Sequence, residues 1–234
     1  MNSFSFIIAT HNNEKDIVNT YLTVLEAVSK LNINGYEIIF VNNASSDKTE
    51  EIIAEIKLSD DKVKNCYEPR LGLSYAICAG VNLSSKQYSL PLPGHDMHTS
   101  ESIKNVCALA EEGSIVLGYR QDKLKSRPFM KVLTSYVYTL VCNKLFKLNL
   151  RDINGLILFP TKLLEISMDP SAGHGHAILP IVRLNRIGIK IKQVPIAIKE
   201  NHKRRAGASW TWHFPKLSNI FSALKTIYLL KRKY

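Results

Sequence analysis

Through the first hundred residues, apolar runs too short for helices alternate with segments of helical periodicity. That alternation restricts the fold more than any other feature. Residues 4–9 form a nearly continuous apolar run, as in a strand covered on both faces. Residues 14–31 then place Ile17, Tyr21, Val24, Leu25, Val28 and Leu31 at helical spacing. A second buried strand spans 36–41, and a helix over 48–57 follows, with Ser46 or Asp47 as its N-cap. A poorer strand over 62–67 leads through Arg70-Leu71-Gly72-Leu73 into a helix that ends near Leu83, and a fourth strand begins at Tyr88. A β-α-β-α-β-α-β order predicts an α/β fold: a Rossmann-like, mostly parallel sheet with helices on both faces.

The second half is less regular. A helix is predicted over 100–111, a strand over 114–119 ending in Arg120, and a long apolar-rich helix over 127–146. Asp152-Ile153-Asn154-Gly155 reads as a turn before a strand at 156–159. Helices over 161–167 and 176–187 and a strand over 189–198 follow, with Pro195 placing that strand at an edge or a bulge. Residues 201–209 form a basic, glycine-containing loop, and 211–234 a C-terminal amphipathic helix with a Lys-Arg-Lys tail. That helix has two readings, in a membrane interface or packed on a core.

The chain carries 31 Lys and Arg against 20 acids, a formal net charge of +11. Such an excess favours an anionic partner. No nucleic-acid-binding signature is present, which excludes that class and leaves phosphorylated substrates and anionic membrane surfaces. The four cysteines form no CxxC pair and read as buried, reduced thiols rather than a zinc site. The N-terminus lacks the pattern of a signal peptide. Residues 129–146 come nearest to a membrane span, but Lys131 and Lys144 interrupt them. The expected location is cytoplasmic, peripheral to the inner face of the cytoplasmic membrane.

In open α/β sheets ligands bind at the carboxyl ends of the strands. The polar turns at 10–13, 42–47 and 93–99 fall there. In the last of them Asp96 and His98 stand two residues apart, and strand alternation would point them the same way. A carboxylate and an imidazole so placed can hold a divalent cation. The alternative is an aspartate capping the next helix beside an exposed histidine.

With these turns in place the chain resembles the inverting nucleotide-sugar glycosyltransferases of family 2, of GT-A fold, and among them the dolichyl- or polyprenyl-phosphate sugar synthases. Residues 5–14 stand where that family has an apolar strand and a Pro-Ala-Tyr-Asn-Glu turn, and 36–49 where it has a strand and an Asp-Asp-Gly-Ser turn. Arg70-Leu71-Gly72-Leu73-Ser74-Tyr75-Ala76 resembles Lys-Leu-Gly-Leu-Gly-x-Ala, and Val116-Leu117-Gly118-Tyr119-Arg120 resembles Val-x-Gly-Ser-Arg. Val194-Pro195-Ile196 with Arg204-Arg205-Ala206-Gly207-Ala208-Ser209 resembles Val-Pro-Ile with a later Arg-x-x-Gly-x-Ser-Lys. The resemblance implies a glycosyltransferase domain over 1–210, followed by the basic helix at 211–234.

It also implies a site. Ala9, His11, Asn43, Arg70, Gly72, Gly94, His95 and Asp96 would contact the nucleotide sugar. Asp96 and His98 would hold Mg2+ or Mn2+. Asp96, Arg120 and Arg204 would act in catalysis, with the arginines gripping phosphate. The acceptor implied is a polyprenyl phosphate, or alternatively a saccharide hydroxyl in surface-polysaccharide assembly. A third reading is a degenerate member that binds nucleotide sugar without turnover. The family's Asp-x-Asp metal motif is altered here: Gly94 replaces the first carboxylate, and His98 replaces a later Gln. Asn42-Asn43 stands for Asp-Asp, and Trp210 for the final Lys.

Overall fold

The computed structural model describes residues 2–33, 35–121 and 129–199, together with Tyr228. In chain order the first elements are β1 (Phe4–Thr10), α1 (Ile17–Leu31), β2 (Tyr36–Asn42), α2 (Thr49–Ser59), β3 (Val63–Tyr67), α3 (Leu73–Leu83) and β4 (Tyr88–Pro93). Then follow α4 (Ser100–Ala108), β5 (Ser114–Arg120), α5 (Phe129–Phe146), β6 (Ile157–Pro160), α6 (Thr161–Ser167), a 3-10 turn at Pro170–Gly175, α7 (Ile178–Arg186) and β7 (Lys190–Ile196).

Alternate residues of β1 enter two separate cores. Phe4, Phe6 and Ile8 pack on one face of the sheet, Ile7 and Ala9 on the other. β2 repeats the division with Ile38 and Phe40 against Ile39 and Val41. The first core is closed by α1, α2 and α4 through Ile17, Val24, Ile53 and Ile103. The second is closed by α3, α5, α6 and α7 through Ile77, Cys142, Leu164 and Ile181. Each such buried side chain contributes about 1.5–3 kcal/mol. Burial on both faces is what the continuous apolar runs predicted.

The sheet order is β3-β2-β1-β4-β6-β5-β7. β1 pairs in parallel with β2 and β4, and β2 with β3. β6 runs antiparallel to both β4 and β5, while β7 is parallel to β5. The reversal of β6 is the main departure from the simple alternation. β7 lies at the sheet edge, where Pro195 leaves no ladder unsatisfied. The helix predicted from residue 14 starts at Ile17, because Asn13 turns the chain by accepting the amides of Asp16 and Ile17. Of the cysteines, Cys107 and Cys142 are buried while Cys66 and Cys78 are half-buried, and all four are free thiols. The basic loop at 201–209 and the C-terminal helix at 211–234, Tyr228 apart, lie outside the described residues.

Candidate active site

Two turns at the carboxyl ends of β1 and β2 are joined by a closed set of hydrogen bonds. Asn12 Oδ1 accepts the Ser46 amide, and the Asn12 amide donates to Ser45 Oγ. The Asn13 amide donates to Thr49 Oγ1, the Glu14 amide to Asp47, and the Lys48 amide to Glu14. Asp47 also accepts the Thr49 amide from one residue ahead of the N-cap, a position that Lys48 holds without a side-chain cap, which corrects the expectation of Ser46 or Asp47 there. Asn12 and Asp47 therefore build the rim of the site rather than present their side chains to a ligand.

Asn43 is 5% exposed and its amide group is fully engaged. Its Nδ2 donates to the carbonyls of Glu68 and Arg70, at 3.0 and 2.7 Å, and its Oδ1 accepts the Gly72 amide at 2.8 Å. This places Asn43 as a clamp on the loop before α3 and corrects the expectation that its side chain meets the ligand. His11 is exposed at the same rim, with Nδ1 2.8 Å from the Asn43 carbonyl oxygen. Arg70 is exposed, forms a two-bond pair with Glu68, and lies over the Tyr75 ring with its guanidinium carbon 4.6 Å from the centroid. The Arg70 guanidinium holds the Glu68 carboxyl below its usual range. His11, Arg70 and Gly72 thus form an accessible surface, whereas Ala9 is buried in the second core.

Gly94 stands where the family motif has its first carboxylate, and there is no room for one. A Cβ on Gly94 would lie 2.8 Å from Asn13 Oδ1, 2.8 Å from Thr10 Cγ2 and 3.1 Å from the Ala9 carbonyl oxygen. The turn after β4 is pressed against β1, with the Gly94 amide on the Ala9 carbonyl and Thr20 Oγ1 on the Gly94 carbonyl. Gly94 is a packing residue, which corrects its assignment to the ligand surface. Strand alternation also stops short of the motif, since β4 ends at Pro93 and Asp96 has a φ of +46°. Asp96 accordingly turns toward α1. Its amide donates to Thr20 Oγ1, and its Oδ1 accepts from Thr23 Oγ1 at 3.0 Å and Lys199 Nζ at 2.6 Å. Lys199 is held there by its own backbone, whose amide donates to the Met97 carbonyl, and by the Ile198–His98 bridge.

His98 is buried and, with His95, faces a cavity of about 300 Å³. The backbone explains the opening. The amides of Tyr88 and Gly94 donate toward β1, so the odd positions of β4 face β6. Two of those positions, 91 and 93, are proline and carry no N–H. The β4–β6 ladder therefore ends after the pairs Tyr88–Pro160 and Ser89–Phe159. The cavity occupies the gap, between Pro91 and Pro93 on one side and Ile157 and Phe159 on the other. Leu73 and Ile77 of α3, Leu164 and Met168 form apolar walls, while Asn154 and His176 add polar groups. Its size and mixed lining suit a small-molecule site. Sequence reading singled out His95 and His98 but missed the walls. Prolines at alternate strand positions were the signal for the opening.

Arg120 is 3% exposed and binds Asp152 through two hydrogen bonds, Nε to Oδ2 at 2.6 Å and Nη2 to Oδ1 at 3.0 Å. Asp152 thus takes the Nε–Nη2 edge of the guanidinium, while Nη1 is buried with no hydrogen-bond partner among the described residues; the expected grip on phosphate has only that Nη1 side left to it. Arg204 lies outside the described residues. Among the described residues, no group of three or more His, Cys, Asp or Glu side chains is placed to hold a metal ion. With an ammonium on Asp96 and His98 turned to the cavity, this arrangement does not fit a divalent cation shared by the two. The expectation that they point the same way is corrected.

Layered α/β architecture, polar turns at the strand ends and a cavity beneath the β4 turn define an α/β protein with its candidate site at the carboxyl ends of the strands. Residues 5–164 match the family described as Glycosyl transferase family 2, and the chain belongs to that family. It is 27% identical over 136 residues to an uncharacterized glycosyltransferase, YkcC, of Bacillus subtilis (strain 168), covering 58% of this chain and 42% of the relative. It is 24% identical over 143 residues to the undecaprenyl-phosphate 4-deoxy-4-formamido-L-arabinose transferase of Proteus mirabilis (strain HI4320), covering 60% and 44%. The aligned part spans less than half the length of these relatives. Among solved structures, glucosyl-3-phosphoglycerate synthase of Mycobacterium tuberculosis, in complex with Mn2+, UDP and glucosyl-3-phosphoglycerate, superposes with a TM-score of 0.62. That match is at 17% identity and covers 98% of this chain and 78% of that one. Residues 1–349 of TarS from S. aureus superpose with a TM-score of 0.61 at 13% identity, covering 97% and 64%. These likenesses define the fold, which is GT-A.

Proposed function

We propose that the protein transfers a sugar from a nucleoside-diphosphate sugar to a polyprenyl phosphate, with inversion at the anomeric carbon, at the inner face of the cytoplasmic membrane. The observation that carries the reading is the Asp96-bearing turn at the mouth of the β4–β6 cavity, beside the His11–Arg70 rim. A nucleotide diphosphate lying along the rim would reach the turn, with its sugar in the cavity. The Proteus mirabilis relative is named for an undecaprenyl-phosphate acceptor, which supports a lipid phosphate here.

In this reading an acceptor oxygen attacks the anomeric carbon and the nucleoside diphosphate departs. Negative charge grows on the leaving phosphate, so the chemistry needs a cation aimed at it. Lys199, held 2.6 Å from Asp96, is the ammonium the described residues bring to that point. A Mn2+ or Mg2+ requirement is supported by the metal-bound structures of similar fold, while the Lys199 pair opposes it. A phosphate acceptor is already ionised and needs no base.

A second reading has its own support. His95, His98 and His176 face one cavity, and an imidazole there would serve as the general base that a saccharide hydroxyl requires. One experiment separates the two. The protein is incubated with a panel of nucleotide sugars, with and without chelator, and with polyprenyl phosphate or oligosaccharide acceptors, and the glycosylated product is identified by mass spectrometry. Glycosylated polyprenyl phosphate supports the first reading, and a glycosylated oligosaccharide the second. Nucleotide-sugar binding without product on either acceptor overturns both.

A further inference from the structure

Helix α5 is turned inside out. Its buried positions are Ser135, Thr139, Cys142 and Phe146, which at 3.6 residues per turn fall within an arc of roughly 60°. Its large apolar side chains point outward instead. Phe129 is 66% exposed, Tyr136 61% and Leu140 54%, and Leu133, Val137 and Leu145 are exposed beside them. Together they fill an arc of roughly 180° of the helix surface. An ordinary surface helix does the reverse. Exposed apolar patches of this kind mark a surface that something covers.

The charge around this face selects the occupant. On α5 and the segment after it, Lys131, Lys144, Lys147 and Arg151 are cationic, and the sequence holds no Asp or Glu from residue 129 to residue 151. A second copy docked face to face would bring these cations together. The C-terminal segment of the same chain is also basic, with Lys203, Arg204 and Arg205 near its start and Lys231, Arg232 and Lys233 at its end. An anionic lipid surface satisfies both features at once, taking the apolar arc into the headgroup boundary and the lysines onto lipid phosphates. Lys144 falls within the exposed arc, where its long stem lets the ammonium reach upward to the headgroups. Among the described residues no helix is long and apolar enough to cross a membrane, so α5 would lie along the surface rather than span it.

We propose that the outward face of α5 docks the protein on an anionic bilayer, with Phe129, Leu133, Tyr136 and Leu140 inserted at the level of the headgroups. The proposal stands on α5 alone and holds whichever acceptor is used. It moves the principal membrane contact from the C-terminal helix to the middle of the transferase domain.

The test is flotation of the full chain with vesicles of phosphatidylcholine alone and with roughly one third phosphatidylglycerol. The wild-type protein is expected to float with the anionic vesicles, and Leu133→Ser/Leu140→Ser to bind about tenfold more weakly. Both positions are exposed, so thermal unfolding of the variant is expected to match the wild type. Unchanged binding by the variant overturns the proposal. So does a dimer in light scattering that the two substitutions dissolve, which assigns the face to a second copy. A clear fall in melting temperature overturns it too, by showing that the chain covers this face itself. Replacing Lys231, Arg232 and Lys233 by alanine is expected to leave most of the binding in place, and complete loss in that variant returns the contact to the C-terminus.

Discussion

Lys199 Nζ and Asp96 Oδ1 lie 2.6 Å apart, with Thr23 Oγ1 completing the contact on the same oxygen. The pair joins the turn after β4 to the segment after β7, two pieces of chain a hundred residues apart. An ammonium therefore sits on the carboxylate to which the resemblance assigned a cation. The ammonium and a metal compete for one oxygen, and the competition is measurable without any substrate. In calorimetric titration with Mn2+, Lys199→Ala is expected to bind at least tenfold more tightly than the wild type, about 1.4 kcal/mol. Asp96→Ala is expected to show no binding. Equal affinity in the wild type and Lys199→Ala would mean that the lysine does not guard the site.

Glu37 couples stability to acid. Burial alone would raise its carboxyl pKa, but Lys64, Ser5 and Ser85 together pull it down to about 2. The Lys64 ammonium is 2.6 Å away, Ser5 Oγ and the Ser85 amide donate at 2.6 Å, and Ser85 Oγ donates at 2.9 Å. A lowered carboxyl pKa stabilises the fold above the unfolded value near 4.5 and ceases to do so as pH falls through 2. Urea denaturation is expected to show stability falling by on the order of 3 kcal/mol across that window. Glu37→Gln should be less stable at pH 7 and lack this part of the acid dependence. A wild-type and a variant profile of the same shape would refute the assignment.

The Arg120–Asp152 pair is almost fully buried. Arg120→Met leaves the Asp152 carboxylate without its cation, an imbalance expected to cost about 3–5 kcal/mol. Arg120→Met/Asp152→Leu should recover part of that loss, because two apolar groups leave no charge uncompensated. Equilibrium denaturation of the three proteins checks the order. A single variant as stable as the wild type would show that the pair contributes nothing to the fold.

Gly155 is packed against the backbone of β5. A Cβ there would fall 1.6 Å from the Gly118 carbonyl oxygen, and main-chain atoms cannot swing aside. Gly155→Ala is expected to destabilise by at least about 3 kcal/mol, with a changed cavity beside Asn154. Thermal unfolding gives the first quantity. A variant with a wild-type melting temperature would mean that the loop relaxes freely.

Much of this was legible in the chain. The continuous runs that became β1 and β2 announced strands buried on both faces, and their turns fell at the ligand end, because period and position are local properties. The reversal of β6 was not legible, since direction depends on which partner the strand meets. Asp96 was correctly placed at the strand end but wrongly aimed. A positive φ and a lysine a hundred residues away decided its orientation, and neither follows from spacing. Arg120 was recognised as special, yet its partner, Asp152, could be found only by folding β5 against the loop before β6. α5 was recognised as apolar, but which side it turns outward is a tertiary fact.

The prolines at 91 and 93 have one more consequence. A strand that parts from its neighbour bares an edge, and a bare edge can recruit a strand from another molecule. Along the edge of β4 that parts from β6, positions 91 and 93 have no amide hydrogen to offer. The sequence that opens the cavity also makes its rim a poor template for intermolecular pairing, which guards the protein against aggregating through the edge it leaves bare.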